Sequence, residues 1–287
     1  MRKKQVILGK QLSINEFVGV ARYGWKVEFS EDYIIRVEKS RTLVEKWIGE
    51  EKVMYGVTTG FGALHTRTIS PDETKQLQKN IVLSHSTSVG APYSVEECRA
   101  VMLMVLQNLG QGYSGVRIDI LNKYKEFLNK GLTPWAPKEG SVGYLSPEAH
   151  IALVLFGEGK AYYEGKLYSG ADALEKAGIE KIELGSKEGL ALVSGTTSTT
   201  ALGALALYDM VNAAKTADII GALSLETLNG IMDAFDERVM SVRPHEHQGN
   251  TAYNVRSILE SSDIKRREKN GRVQDALSLR CIPQLHG

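Results

Sequence analysis

The chain has 287 residues, 43% of them hydrophobic, which is enough apolar material for one large or two medium-sized globular domains. Its net charge of +1 argues against the strongly basic surface of a nucleic-acid-binding protein. The two cysteines, Cys98 and Cys281, lie far apart and outside any CxxC spacing, which argues against a disulfide framework or a zinc site. We therefore expect a protein of the reducing cytoplasm with no nucleic-acid partner.

No signal-peptide core follows the charged N-terminus. The most apolar run, residues 201–225, is interrupted by Asp209, Lys215 and Asp218. These charges favour a buried helix of a soluble protein over a membrane span, so we expect no membrane partner.

The first third of the sequence mixes a strand with helices. Residues 5–12 predict a short strand, and the capping-box pattern from Ser13 to Glu16 predicts the start of a helix. Ser30 and Ser94 are predicted caps of two further helices, and a helix is expected over residues 70–88. Between residues 52 and 68 the helical period disappears, which predicts a mobile loop.

The remainder is predicted to be mostly helical. Helices are expected over residues 116–128, 170–178 and 197–228, with an extended linker at 133–137 and a hairpin at 161–168. The segment 197–228 is apolar on most faces, which favours burial in a bundle shared between subunits. The expected fold is mainly α, a helical bundle with a mixed α/β N-terminal region, divided into residues 1–112 and 113–287.

A glycine-bracketed loop leads into a predicted helix at residues 139–153, EGSVGYLSPEAHIAL. Ser146 is suited to the N-cap, Pro147 to the first helical position and Glu148 to the first turn. Backbone N–H groups at such a helix start stabilise developing negative charge.

Four further motifs accompany this loop: YGVTTGFG at residues 55–62, NIVLSH at 80–85, EGLALVSGT at 188–196 and VQDALSLR at 273–280. Together with the loop, and in this order, they resemble the histidine/aromatic amino acid ammonia-lyase family, which also contains aminomutases. The resemblance covers nearly the whole chain. It implies the ammonia-lyase/fumarase-like helical fold and a homotetramer acting on a small-molecule amino acid.

The resemblance also implies a prosthetic group made from the chain itself. In the family, an Ala-Ser-Gly tripeptide cyclises to an electrophilic methylidene-imidazolone (MIO), which captures the substrate amine. Here Gly143 is followed directly by Tyr144, at the position where the family has the triplet and then Asp. Either the condensed triplet has dropped out of the written sequence, or the triplet is absent and no MIO forms. Two departures favour absence: Ser194 stands where the family has Asn, and Leu277 where it has Tyr.

Other site positions match the family pattern. Tyr55 matches the loop tyrosine that removes the β-proton, and Gly60 lets that loop approach the substrate. Arg280 matches the arginine that holds the substrate carboxylate, with Gln274 as a polar neighbour. His85, after Ser84, falls at the selectivity position and resembles that of histidine-type enzymes. The predicted catalytic positions are Tyr55, Gly60, Gly143 and Tyr144, and the predicted substrate-binding positions are His85, Ser194, Gln274 and Arg280.

The resemblance leaves the function with three alternatives: a histidine-type ammonia-lyase, an aminomutase, or a non-catalytic homologue that assembles with a catalytic partner. No metal is expected, because His245 and His247 have no third ligand at useful spacing, and no nucleotide is expected because the phosphate-loop pattern is missing. Family members extend beyond the position of Gly287, so the chain is expected to be a truncated form or one half of a split enzyme with a separate C-terminal fragment.

Overall fold

A computed structural model of the protein describes residues 4–54, 71–140, 145–243, 245–263 and 272–287. Across these residues the chain is mostly helical, which confirms the predicted mainly α fold. It divides into two compact units, Met1–Ala206 and Leu207–Gly287. The sequence-based division at residue 112 stays a prediction.

The first unit contains most of the predicted elements. Its strands are β1 (Gln5–Leu8), β2 (Lys26–Phe29), β3 (Val89–Pro92), β4 (Thr133–Pro134), β5 (Pro137–Glu139), β6 (Lys160–Tyr163) and β7 (Lys166–Ser169). Its helices are α1 (Ile14–Tyr23), α2 (Glu31–Gly49), α3 (Pro71–His85), α4 (Val95–Leu109), α5 (Ile118–Lys130), α6 (Ser146–Leu153), α7 (Gly170–Lys176) and α8 (Glu188–Val193). A ninth helix, α9 (Thr197–Thr227), begins in this unit, and the unit boundary falls within it.

Three small sheets accompany these helices. β1 and β2 pair in parallel, β3 pairs antiparallel with β5, and β4, β6 and β7 form an antiparallel sheet. The sequence does not predict β2. The segment 133–137, expected to be a plain linker, instead supplies residues to β4 and β5, because its backbone groups find partners in β6 and β3.

Helices α1, α4 and α5 pack together in the first unit, and Arg99 of α4 joins them. Its guanidinium is buried and donates hydrogen bonds to the carbonyl oxygens of Val20 (2.8 Å from Nη2) and Leu128 (2.9 Å from Nη1). These carbonyls lie in the last turns of α1 and α5, where the helix dipole is negative. Burial lowers the pKa of Arg99, yet the two helix ends compensate its charge.

The second unit continues α9 and adds α10 (Glu237–Ser241), α11 (Glu246–Ile258), α12 (Leu277–Arg280) and α13 (Ile282–His286). Its core consists of buried apolar side chains from α9, α10, α11 and α13, from the turn before α10 and from the end of α11. They are Ala222, Leu225, Phe235, Met240, Ala252, Val255, Leu259 and Ile282.

Helix α9 is the longest described helix, at 31 residues, and confirms the predicted segment 197–228. Within the described chain, residues 188–227 are long and apolar enough to cross a membrane by length and composition, and an 18-residue window inside them has a mean hydropathy of 1.4. In the single chain the centre of α9 is not covered. Leu207 is 56% exposed and Met210 is 69% exposed.

Candidate active site

The four predicted catalytic positions, Tyr55, Gly60, Gly143 and Tyr144, lie outside the described residues. The four predicted substrate-binding positions are described, and they fall in two groups. His85 and Ser194 belong to the first unit, and Gln274 and Arg280 belong to the second.

The pairing of β3 with β5 fixes where the glycine loop begins. Val89 lies opposite Glu139, so Gly140 runs alongside residues 87 and 88. Gly140 has a φ of 92°, in the left-handed region that favours glycine, and a Cβ there would lie 3.8 Å from the Ser88 Cα. The loop therefore starts beside the segment that follows His85.

The helix after the loop begins differently from the prediction. Leu145, not Ser146, is the N-cap of α6, and Ser146 is already the first helical residue. The Ser146 hydroxyl does not cap its own helix, because it accepts the Ser88 backbone N–H (3.0 Å) and the Ser88 hydroxyl (2.7 Å). Leu145 has a φ of 77°, which is strained for a non-glycine residue. The predicted Ser146 cap is therefore wrong, because Ser88, which is distant in sequence, occupies the Ser146 hydroxyl.

His85 ends α3 and is half-buried. Its Nδ1 lies 2.8 Å from the carbonyl oxygen of Ile81, which can only accept, so Nδ1 carries the proton. In the neutral ring Nε2 is then left as a hydrogen-bond acceptor. The Ser84 hydroxyl also donates to the Ile81 carbonyl, at 3.0 Å. Both side chains are thus held by the last turn of α3.

Ser194 follows α8 and is exposed. Helix α8 is held against α3 by Gln78, whose Oε1 accepts the Gly189 N–H at 2.9 Å. A Cβ at Gly189 would lie 2.4 Å from the Gln78 carbonyl oxygen, so this close approach requires glycine. Helices α3, α6 and α8 pack on one another in the first unit, so the elements that carry His85 and lead to Ser194 are in contact.

The start of α8 is fixed by a buried ion pair. The fully buried Glu188 accepts two hydrogen bonds from the Arg117 guanidinium, at 2.9 and 2.7 Å, and one from the Gly185 N–H at 2.6 Å. The glutamate raises the pKa of Arg117. This two-point pairing holds the helix that leads to Ser194.

Sequence reasoning missed the role of Glu148, which it treated as a first-turn acid. The side chain is fully buried, and its Oε1 accepts the Thr197 hydroxyl (2.6 Å) and the Ser198 N–H (2.8 Å) at the start of α9. The other oxygen has no hydrogen-bond partner among the described residues. A glutamate in an otherwise apolar helix start, next to the loop, was the available signal.

In the second unit, Gln274 is exposed and Arg280 is half-buried at the end of α12. The Arg280 Nε is buried without a partner among the described residues. Between them lies the buried Asp275, which accepts the Ile231 N–H at 2.5 Å and pairs with Arg272 at 3.2 Å. Asp275 was not predicted as an anchor, although it lies inside the motif, because its partner Ile231 is 44 residues away in sequence.

The described part of the chain contains no group of three or more His, Cys, Asp or Glu side chains placed to hold a metal ion.

The residues present do not fit the MIO group. The group would be built from Ala-Ser-Gly, but Gly143 is followed by Tyr144, Leu145 and then Ser146. Residues 141–144, where the family has the group, lie outside the described residues, so this mismatch rests on the sequence. No reaction step is therefore derived through MIO.

Comparisons with known proteins agree with these motifs. The model of the aromatic amino acid lyase family matches residues 12–287. Histidine ammonia-lyase 1 of Fusobacterium nucleatum is 48% identical over 99% of this chain and 56% of that protein. The ergothioneine-degrading enzyme Ergothionase of Treponema denticola has a TM-score of 0.90 at 30% identity, covering 99% of this chain and 57% of that one. Phenylalanine aminomutase of Pantoea agglomerans has a TM-score of 0.89 at 34% identity, covering 98% and 58%.

Proposed function

Because this chain belongs to the aromatic amino acid lyase family, we propose that it forms part of a carbon–nitrogen lyase acting on a histidine-like amino acid. The reaction removes the amine and leaves an α,β-unsaturated acid. The observation that carries the proposal is the 48% identity with a histidine ammonia-lyase over 99% of the chain. The chain spans about half the length of the curated relatives it matches, 56% for this one, so the activity is proposed for the whole protein.

The proposed roles follow the motifs. Tyr55 removes the β-proton, and Arg280 holds the carboxylate with Gln274 beside it. The Nε of Arg280, which is buried without a hydrogen-bond partner among the described residues, supports this assignment. His85 offers an acceptor nitrogen for an imidazole N–H of the substrate, since Ile81 fixes its tautomer.

The missing Ala-Ser-Gly triplet restricts which nitrogen leaving groups this chain can eliminate. With a free ammonium substrate, a base meets the N–H proton before the much less acidic β-proton, and a captured amine would avoid this. The chain lacks the triplet that makes the capturing group. A quaternary nitrogen needs no capture, because it has no N–H and departs as a neutral tertiary amine. This absence favours a second candidate function, elimination from a trimethylammonium amino acid such as ergothioneine, and the likeness to an ergothioneine-degrading enzyme supports it.

We further propose a homotetramer, or assembly with a separate C-terminal fragment, in which partner chains cover the exposed centre of α9. The aminomutase alternative differs in the product, because the amine returns to the β-carbon.

The test supplies the full-length protein with L-histidine and, separately, with its trimethylammonium betaine. NMR of the mixtures identifies an unsaturated acid, a β-amino acid, ammonia or trimethylamine. We expect the Tyr55→Phe variant to lose roughly 100-fold or more in kcat/KM, as expected for removal of a general base. Tyr113, 91% exposed, provides the control Tyr113→Phe, which should retain wild-type turnover. Absence of an unsaturated acid from either substrate would refute the lyase proposal and favour the non-catalytic alternative.

A further inference from the structure

The segment that follows His85 is tied to the first two turns of α6. The Ser146 hydroxyl oxygen accepts the Ser88 backbone N–H at 3.0 Å, the Ser88 hydroxyl at 2.7 Å and the Thr87 N–H at 3.3 Å. One turn later, the His150 ring hydrogen-bonds to the Ser88 backbone. Both serines are buried, so water does not compete for these bonds. We call Ser88, Ser146 and His150 the serine clamp.

The serine clamp adjoins the strained start of α6. Leu145, the N-cap, has a φ of 77° and makes no capping hydrogen bond through its side chain. A non-glycine residue keeps such a backbone only where its surroundings impose it, and such residues cluster at functional sites. The clamp supplies a constraint of this kind, because it fixes the next residue, Ser146, against the connection between α3 and β3.

The same clamp lies three residues beyond the end of α3. His85 is the last residue of that helix, and its Nδ1 is held by the Ile81 carbonyl oxygen in the last turn. The carbonyl groups of a last turn have no partner farther along the helix, so helix ends fray. Because the clamp fixes Ser88 to α6, it restricts this fraying and preserves the direction of the His85 ring.

We propose that the serine clamp positions His85 for the imidazole ring of the substrate, so that Ser88 and Ser146 set the preference for imidazole over phenyl. Both are positioning residues, because they act through His85. A hydrogen bond weakens steeply when its angle or distance changes, so a displaced His85 ring loses the imidazole N–H while apolar contacts survive. The inference rests on the proposed function, because it assigns residues that select the substrate. Its test measures binding and not turnover, so the two can fail separately.

The probes are 3-(imidazol-4-yl)propionate and 3-phenylpropionate, titrated into the full-length protein by NMR. Both carry the carboxylate and a ring, and neither carries a leaving amine. Wild type should prefer the imidazole probe. Ser146→Ala should lower this preference roughly fivefold, as for one lost hydrogen bond, and leave the phenyl probe unchanged. The matched control is Ser40→Ala on α2, which removes a half-buried hydroxyl that donates to Val37 and should bind both probes as wild type does.

A double-mutant cycle separates positioning from general destabilisation. In a His85→Leu background, which lacks the acceptor nitrogen, Ser146→Ala should cause no further change in preference. If Ser146→Ala fails to fold, Ser88→Ala makes the same test, since it removes one bond of the clamp and keeps the Ser88 N–H bond to Ser146.

Three results would overturn the proposal: a wild type without preference between the probes, equal weakening of both probes by Ser146→Ala, or the same loss of preference in the His85→Leu background. Unsaturated-acid formation in any of these cases would leave the lyase proposal standing.

Discussion

Two fully buried glutamates of the first unit, Glu148 and Glu188, have different surroundings. Glu188 pairs with the Arg117 guanidinium at two points, so its charge is compensated by a full opposite charge. Glu148 receives a hydroxyl and one backbone N–H at a helix start, and no guanidinium or ammonium pairs with it among the described residues. An acid buried without a cation is costly for stability.

His150 of α6 gives a prediction for stability against pH. Burial lowers its pKa from 6.5, more than its hydrogen bond with the Ser88 backbone raises it. The unfolded chain therefore binds a proton at a higher pH than the folded chain, and stability falls as pH drops from about 6.5 through the lower folded value. His150→Gln should reduce the decline of the denaturation midpoint between pH 7 and pH 5.

The exposed His247 provides the control for this measurement, because His247→Gln removes an imidazole without changing a buried environment. If the midpoints of wild type and His150→Gln fell in parallel over that pH range, the attribution to His150 would be wrong.

At the scale of elements, the sequence predicts those helix starts whose capping hydrogen bonds are local. Ser13 and Ser94 form complete capping boxes, and Ser30 accepts from the Tyr33 N–H, as their local patterns predict. Ser146 fails as a cap because Ser88, 58 residues away, donates to its hydroxyl. The strand β2 was missed for the same reason: four residues pair in parallel across α1, and no local pattern records that partner.

Replacing Arg99 by lysine should destabilise the fold, because Arg99 joins the ends of two helices. A planar guanidinium reaches the Val20 and Leu128 carbonyls together, whereas an ammonium is a point donor on a flexible stem. We expect Arg99→Lys to lower the free energy of unfolding by about 2 kcal/mol, measured by chemical denaturation. Arg238→Lys, on a side chain 90% exposed, is the control. Equal denaturation midpoints for Arg99→Lys and wild type would show that the two helix ends do not depend on the Arg99 guanidinium.

On the scale of the whole molecule, the candidate site is only partly predictable from the chain. The motifs indicate the family and several residues, and the described structure places the loop start beside the segment that follows His85. The contacts of Glu148 with the start of α9 were not predicted, because burial of an acid depends on tertiary packing and not on local sequence. Gln274 and Arg280 belong to a second unit, and which elements complete a site around them depends on more than local sequence.

Helix α9 provides a prediction about assembly. Its exposed Leu207 and Met210 should be covered by partner chains, so Met210→Glu should shift the protein toward monomers in analytical ultracentrifugation. Tyr23, 62% exposed on α1, provides the control Tyr23→Glu, which should leave the assembly intact. A wild-type protein that sediments as a monomer would refute the proposed oligomer.

We propose that this member of the family reaches its active form without the MIO group. Mass spectrometry of the tryptic peptide of residues 139–160 tests it directly. We predict a mass equal to that of the printed residues. A mass heavier by Ala-Ser-Gly less two waters would show a formed MIO, contradict the claim, and restore free ammonia as the leaving group.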